Sequence, residues 1–287
     1  MTNLTANPTA PAAIAPVIEF DRVTIGFGGE PVLNDVSFRL EPGETKIILG
    51  AAGSGKSVML KLAMGLLAAD EGRISVQGRD ITRLQEDELF PVRQSIGMVF
   101  QEGALFDSLT IGENVGYVFE RLKDVSDDEA ERRVREALRF VELEQTYDQY
   151  PPALSGGMRR RVAIARAMVS RPGLLLYDSP TAGLDPITSQ RIIALIIKQR
   201  DAHHVSSLLV THRLQDAYYI ASFRYDEATG KLAPSGERAG DHHDTGTGNG
   251  HGTLTRFLLL KEGEIVFHGG LNEMLESRDP YLRKFLT

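Results

Sequence analysis

Alternation of apolar and polar positions sets the first expectation. From Val17 to Leu40 the apolar side chains fall in runs of period two, Ile18/Phe20, Val23/Ile25 and Val36/Phe38/Leu40, with Gly28, Gly29 and Asn34 between them. A period of two turns one face of a strand inward, so an antiparallel β layer is predicted here. Glu44–Leu49 reads as a short strand entering a glycine-rich turn, and the apolar positions from about Ser57 to Leu67 then follow helical spacing. Ser126 with Glu129 three residues on forms a capping-box pattern, and Ala130, Val134, Ala137, Leu138 and Val141 keep the helical period behind it. A helical subdomain is expected over about residues 105–170. Leu174–Tyr177 and Ser207–Val210 are short and unalternating, as strands buried on both faces are. The pattern stops between Asp226 and Thr255, where Gly230, Gly236, Gly240, Gly246, Gly248, Gly250 and Gly252 sit among polar residues, and a flexible insertion over about 226–255 is predicted. Phe257–Leu260, the turn residues Glu262 and Gly263, and Ile265–Phe267 predict a hairpin before a short C-terminal helix.

Composition narrows the class. The 287 residues are 42% hydrophobic and 25% charged, enough for a large core. The net charge of −7 offers no broad electrostatic grip on nucleic acid, and no nucleic-acid partner is expected. With no cysteine there is neither a disulfide framework nor a thiolate metal site, which fits a reducing cytoplasm. The longest apolar runs, such as Ile192–Ile197, fall far short of the ~18 to 20 residues of a spanning helix. Residues 1–16, uncharged and rich in Ala, Pro and Thr, read as a flexible leader, and 17–287 as one domain.

The chemistry begins at Gly50-Ala51-Ala52-Gly53-Ser54-Gly55-Lys56-Ser57, a phosphate-binding loop lying between a strand and a helix as that motif requires. Glycines let the backbone N–H groups close on phosphates, Lys56 reaches the β- and γ-phosphates, and the Ser57 hydroxyl ligates Mg²⁺. Leu174–Tyr177 ends in Asp178, a carboxylate delivered by an apolar strand, which beside such a loop is a second Mg²⁺ partner. ATP and Mg²⁺ are therefore the expected cofactors. Leu154-Ser155-Gly156-Gly157-Met158 opens a basic and then apolar helix; alone it reads as an ordinary helix cap.

In this company the Ser155–Gly157 stretch resembles the signature motif of ATP-binding cassette proteins. That resemblance implies a P-loop NTPase core of α/β class, a mainly parallel sheet flanked by helices, with an antiparallel β subdomain and a helical signature subdomain. It further implies that Ser155, Gly156 and Gly157 approach the γ-phosphate held by a second copy of the chain. Phe27 is placed like the aromatic that stacks on adenine, a core aromatic being the ordinary alternative. Gln101 resembles the glutamine that senses Mg²⁺, Ala182-Gly183-Leu184-Asp185 the D-loop that crosses the dimer, and His212 the switch histidine. One position departs from the pattern: the family places a glutamate after the strand-ending Asp, and here Ser179 follows Asp178. A hydroxyl is no general base at neutral pH, so nucleotide binding with slow or partner-dependent hydrolysis is expected. His212, Gln101 or Glu102 are candidates to orient water in its place.

Gly53–Lys61, then Gly103–Thr110, and Asp279-Pro280-Tyr281-Leu282 leading into Phe285 are similar to ATPases of Mla/Mce-type phospholipid transporters. This likeness implies an integral-membrane permease and an Mce-domain substrate-binding protein as partners, with the chain peripheral on the cytoplasmic face of the bacterial inner membrane. Leu105 and Phe106 would then dock the permease, core packing being the alternative. A regulatory ATP-binding switch and a non-transport cassette ATPase stay open as rival functions. His242, His243 and His251 with Asp241 and Asp244 suit a solvated linker better than a metal site, since no rigid spacing orders them.

Overall fold

The computed structural model describes residues 15–122, 125–235 and 255–286. In chain order the strands and α-helices are β1 Ile18–Gly26, β2 Pro31–Leu40, β3 Thr45–Gly50, α1 Lys56–Ala63, β4 Glu71–Val76, β5 Arg79–Asp80, α2 Glu86–Gln94, β6 Ile96–Val99, α3 Ile111–Gly116, α4 Asp127–Phe140, α5 Gly156–Met168, β7 Leu174–Asp178, α6 Pro186–His203, β8 Ser206–Thr211, α7 Leu214–Ser222, β9 Phe223–Asp226, β10 Lys231–Pro234, β11 Thr255–Lys261, β12 Glu264–Gly269, α8 Leu271–Glu276 and α9 Pro280–Leu286. The fold is α/β. A six-stranded sheet of order β12-β11-β3-β8-β7-β6 is parallel except at β12, and a separate antiparallel sheet has the order β2-β1-β4-β5.

The central strands are apolar on both faces because both faces are covered. Ile47, Leu49, Leu175, Tyr177 and Leu209 enter one core with α3, α4, α5 and α6, whereas Ile48, Leu174, Leu176, Leu208 and Val210 enter a second core with the antiparallel sheet and α1. In β1 and β2 the burial alternates, one face inward, as the period of two predicts.

Several boundaries differ from the sequence expectation. The first helix stops at Ala63, before Leu67, because Gly65 takes φ +63° and closes a Schellman turn: its N–H donates to Leu62 O and that of Leu66 to Lys61 O. At α4 the Ser126 hydroxyl caps Glu129 N at 3.3 Å, but the Glu129 carboxylate turns to Arg132 and Arg133, so only half of the capping box forms. The stretch from Asp226 is not loop throughout, since β9 and β10 pair across it as an antiparallel hairpin. Residues 236–254, with the His242, His243 and His251 group, lie outside the described residues, as do residues 1–14. Two short helices, α8 and α9, close the chain where one was expected. The β11–β12 turn has positive φ at Glu262 and Gly263, the type I′ geometry that suits a two-residue hairpin. It docks on β2, where Asn34 N donates to Gly263 O at 2.9 Å and Asn34 Nδ2 to Glu264 Oε1 at 2.7 Å. Among the described residues no helix is long and apolar enough to cross a membrane.

Candidate functional site

The sheet register brings the motifs together. Leu49 is level with Thr211, Val210 with Asp178 and Tyr177 with Val99, so Gly50, His212, Asp178 and Gln101 all stand at the carboxyl ends of adjacent parallel strands. That edge is where open α/β sheets bind their ligands, because loops and helix N-termini converge there.

Two glycines in the loop between β3 and α1 answer to close approach. A Cβ at Gly50 would lie 2.5 Å from Leu260 O, and one at Gly55, whose φ is +97°, would lie 2.6 Å from Leu33 Cδ2 and 2.9 Å from Val32 O. Only glycine lets the loop seat against β2 and β11 at once. The Lys56 ammonium curls into the loop, donating to Gly50 O at 3.0 Å and Ala51 O at 2.6 Å, with Ser54 Oγ at 3.3 Å. Burial pushes the Lys56 amine below its usual range, and the Asp178 charge pulls it back. The Ser57 hydroxyl donates to Asp178 Oδ1 at 3.1 Å, joining positions 121 residues apart. A hydroxyl and a carboxylate meeting at the mouth of a glycine cradle are the oxygen donors a hard cation such as Mg²⁺ takes, so these residues fit both groups.

Ser179 is buried, sits at φ +46°, and donates its N–H to Val210 O at 2.9 Å. Phe27 is 60% exposed at the end of β1, which removes the core reading for its ring. Gln101 and His212 are both exposed. Behind His212, the buried Asp216 accepts from the Thr181 hydroxyl and lies 3.6 Å from Arg213; burial raises its carboxyl above the usual range, against the pull of Thr181, Arg213 and His212.

Ser155 caps α5, its Oγ accepting from Met158 N at 3.3 Å, and leaves Ser155 and Gly156 exposed. A Cβ on Gly157 would lie 2.4 Å from Thr188 Cγ2 in the first turn of α6. Among the described residues no hydrogen bond joins 155–157 to 50–57. Asp185 caps α6, its Oδ1 accepting from Thr188 N at 2.9 Å; hydrogen bonds from the Thr188 hydroxyl and then from its N–H hold the carboxyl below the usual range.

Arg160 is a participant that motif reading passed over. It is buried, donates to Ala182 O at 3.3 Å, and so ties the helix behind Ser155 to the segment before Asp185, while its Nη1 has no partner. The signal was present: three consecutive arginines, 159 to 161, step about 100° apart on a helix, so they cannot all face solvent. Phe106 is 44% exposed against Tyr117, at 4.9 Å between ring centres, and Leu105 is half-buried.

Comparison with known proteins agrees with this architecture. The family model described as ABC transporter matches residues 33–182. The methionine import ATP-binding protein MetN of Rhizobium etli is 38% identical over 221 residues, 77% of this chain and 61% of that protein. The chloroplastic protein TRIGALACTOSYLDIACYLGLYCEROL 3 of Arabidopsis thaliana is 35% identical over 278 residues, 94% of this chain and 73% of that protein. The chain thus spans 61% of the length of the methionine-import relative. Among solved structures, the dimeric ATP-binding cassette MJ0796 in a post-hydrolysis state with ADP and Pi superposes with a TM-score of 0.70 at 30% identity, covering 88% of this chain and 98% of that one. The cbiO1 structure from Clostridium perfringens, at 24% identity and a TM-score of 0.73, shares the fold. A family model covering half of the chain and a relative matched over most of its own length place the chain in the ABC transporter family.

Proposed function

We propose that this chain is the nucleotide-binding subunit of a membrane transporter, holding Mg-ATP between two copies of itself and driving an integral-membrane permease. The observation that carries this reading is the Ser57–Asp178 contact at 3.1 Å beside the buried Lys56 amine. The Gly50–Ser57 backbone and Lys56 hold the phosphates, Phe27 offers its exposed ring to the base, and Ser57, Asp178 and Gln101 hold the cation. When bound, Mg²⁺ supplies positive charge that offsets the charge of the phosphates. Ser155, Gly156, Gly157 and Asp185 of one copy face the phosphates held by the other, the exposed helix start offering free N–H groups to an anion. His212 contacts the γ-phosphate. The exposed Phe106 meets the permease, which places the chain against the cytoplasmic face of the bacterial inner membrane.

For the cargo we favour a phospholipid, with an Mce-domain protein as a further partner. In support, a relative named for a galactolipid aligns over 94% of this chain, whereas the methionine-import relative aligns over 77%. The competing reading is methionine import, favoured by identities of up to 41% to MetN proteins. Mass spectrometry of the copurified permease complex separates them: bound phospholipid supports the first, and ATP turnover stimulated by methionine overturns it.

Ser179 sets the rate. It leaves the site without a general base, and a positioned base contributes typically ~10²- to 10⁴-fold. The assembled complex should hydrolyse ATP slowly, Ser179→Ala should change little, and Ser179→Glu should raise steady-state turnover by at least ~10²-fold. An ordinary rate that Ser179→Glu does not raise and His212→Ala abolishes would place the base elsewhere.

A further inference from the structure

Arg213 and Asp216, just after His212, reach the segment that leads to Asp185. Residues 179–184 form turns between β7 and α6, and side chains of other elements hold their backbone oxygens. Arg213 Nη1 donates to Thr181 O at 3.3 Å and to Ser189 Oγ at 2.8 Å, and the Ser189 hydroxyl in turn donates to Leu184 O at 3.5 Å. The Thr181 hydroxyl donates to Asp216 Oδ2, and the same carboxylate lies 3.6 Å from Arg213 Nε. Arg160 of α5 holds the carbonyl between them, Ala182 O. At the far end of these contacts, Arg213 N donates to Thr211 Oγ1 at 3.0 Å, which closes the turn whose middle residue is His212. The His212 turn and the approach to Asp185 are thus one hydrogen-bonded unit. Thr181, Ser189 and Asp216 are buried within it, where such bonds are stronger than in water and the loss of one member costs more.

We propose that Arg213 and Asp216 are positioning residues for nucleotide-driven pairing of two chains: through Thr181 and Ser189 they fix where Asp185 stands relative to His212. On the two-copy reading proposed above, on which this inference rests, His212 serves the nucleotide held by its own chain and Asp185 faces the one held by the partner. Arg213 then stands between the two sites and acts on both without touching nucleotide. The phosphate loop is untouched by this unit, since Lys56 bonds to Gly50, Ala51 and Ser54, and Ser57 to Asp178.

Two measurements on the full chain separate positioning from mere support of the fold: Mg-ADP binding by calorimetry, which needs one chain, and dimer formation in Mg-ATP by light scattering, which needs two. Arg213→Ala should bind Mg-ADP within about twofold of the parent chain, yet need at least about tenfold more protein to pair, as the loss of a charged hydrogen bond implies. Ser189→Ala, which deletes one hydroxyl and no charge, should show the same split at about threefold or more, and it carries the test should Arg213→Ala fold poorly. The double variant should pair no worse than Arg213→Ala alone, because both changes cut the same link. The assignment is overturned if Arg213→Ala and Ser189→Ala pair as tightly as the parent chain, if ADP binding and pairing weaken by the same factor, or if the two losses simply add. A parent chain that forms no dimer in Mg-ATP would instead sink the two-copy reading, and this inference with it.

Discussion

Tyr177 lies directly before Asp178, fully buried, and its hydroxyl meets no partner. Burial pushes the phenol pKa well up, so the group stays neutral, yet a buried unpaired hydroxyl still forfeits its bonds to water. Replacing it with the isosteric ring should therefore help: Tyr177→Phe is expected to raise stability by about 1 kcal/mol in denaturant titration, and a loss of that size would mean the hydroxyl is satisfied. Next along the chain, Ser179 holds a left-handed backbone fixed by its bond to Val210 O. Lys56, Ser57 and Asp178 were legible in the sequence, from the phosphate-loop pattern and an apolar strand ending in a carboxylate beside it, whereas Ser179 stood out only through the family resemblance. The exposure of Phe27 was not legible, since an aromatic after a strand looks the same to sequence whether it faces core or solvent.

Among the elements, α3 shows how one side chain shapes a neighbouring loop. Asn114 is fully buried; its Oδ1 accepts from Phe106 N at 2.8 Å and its Nδ2 donates to Phe106 O at 3.0 Å, Leu109 O at 3.0 Å and Thr110 O at 2.9 Å. Asn114→Ala should cost roughly 2–4 kcal/mol by leaving these groups unpaired, and hydrogen exchange over 105–110 should accelerate, loosening the exposed Phe106. The junction of α5 and α6 is set by size. Gly157→Ala should destabilise by about 1–3 kcal/mol through the clash with Thr188, and Thr188→Ser, which lacks the offending methyl, should recover most of that loss in a double-mutant cycle. Elements with a clean period, such as β1, β2, β3 and β7, could be read from the sequence. Others could not: α2 carries Pro91 within it, and β9 and β10 are short, half-exposed and close to a glycine-rich run. Gly65 could be seen, but its role as a helix stop depends on Leu89 packing where a side chain would go.

At the scale of the molecule, the exposed signature residues and the phosphate loop share no hydrogen bond within one chain. On the two-copy reading proposed above, Lys56→Ala and Ser155→Arg should each trap no nucleotide alone. Mixed, they should regain about a quarter of the wild-type capacity, because half of the dimers then hold one intact site of two. A mixture as inert as its parents would mean that each site is built within a single chain. Periodicity and spacing do not announce this arrangement; in the sequence it is implied by the resemblance of Ser155–Gly157 to a signature motif. The same separation decides inheritance as well as assembly. A copy altered at both Lys56 and Ser155 would spoil both sites of any dimer it joins, so at equal expression only about a quarter of dimers would stay whole, and the defective allele would behave as dominant over the normal one.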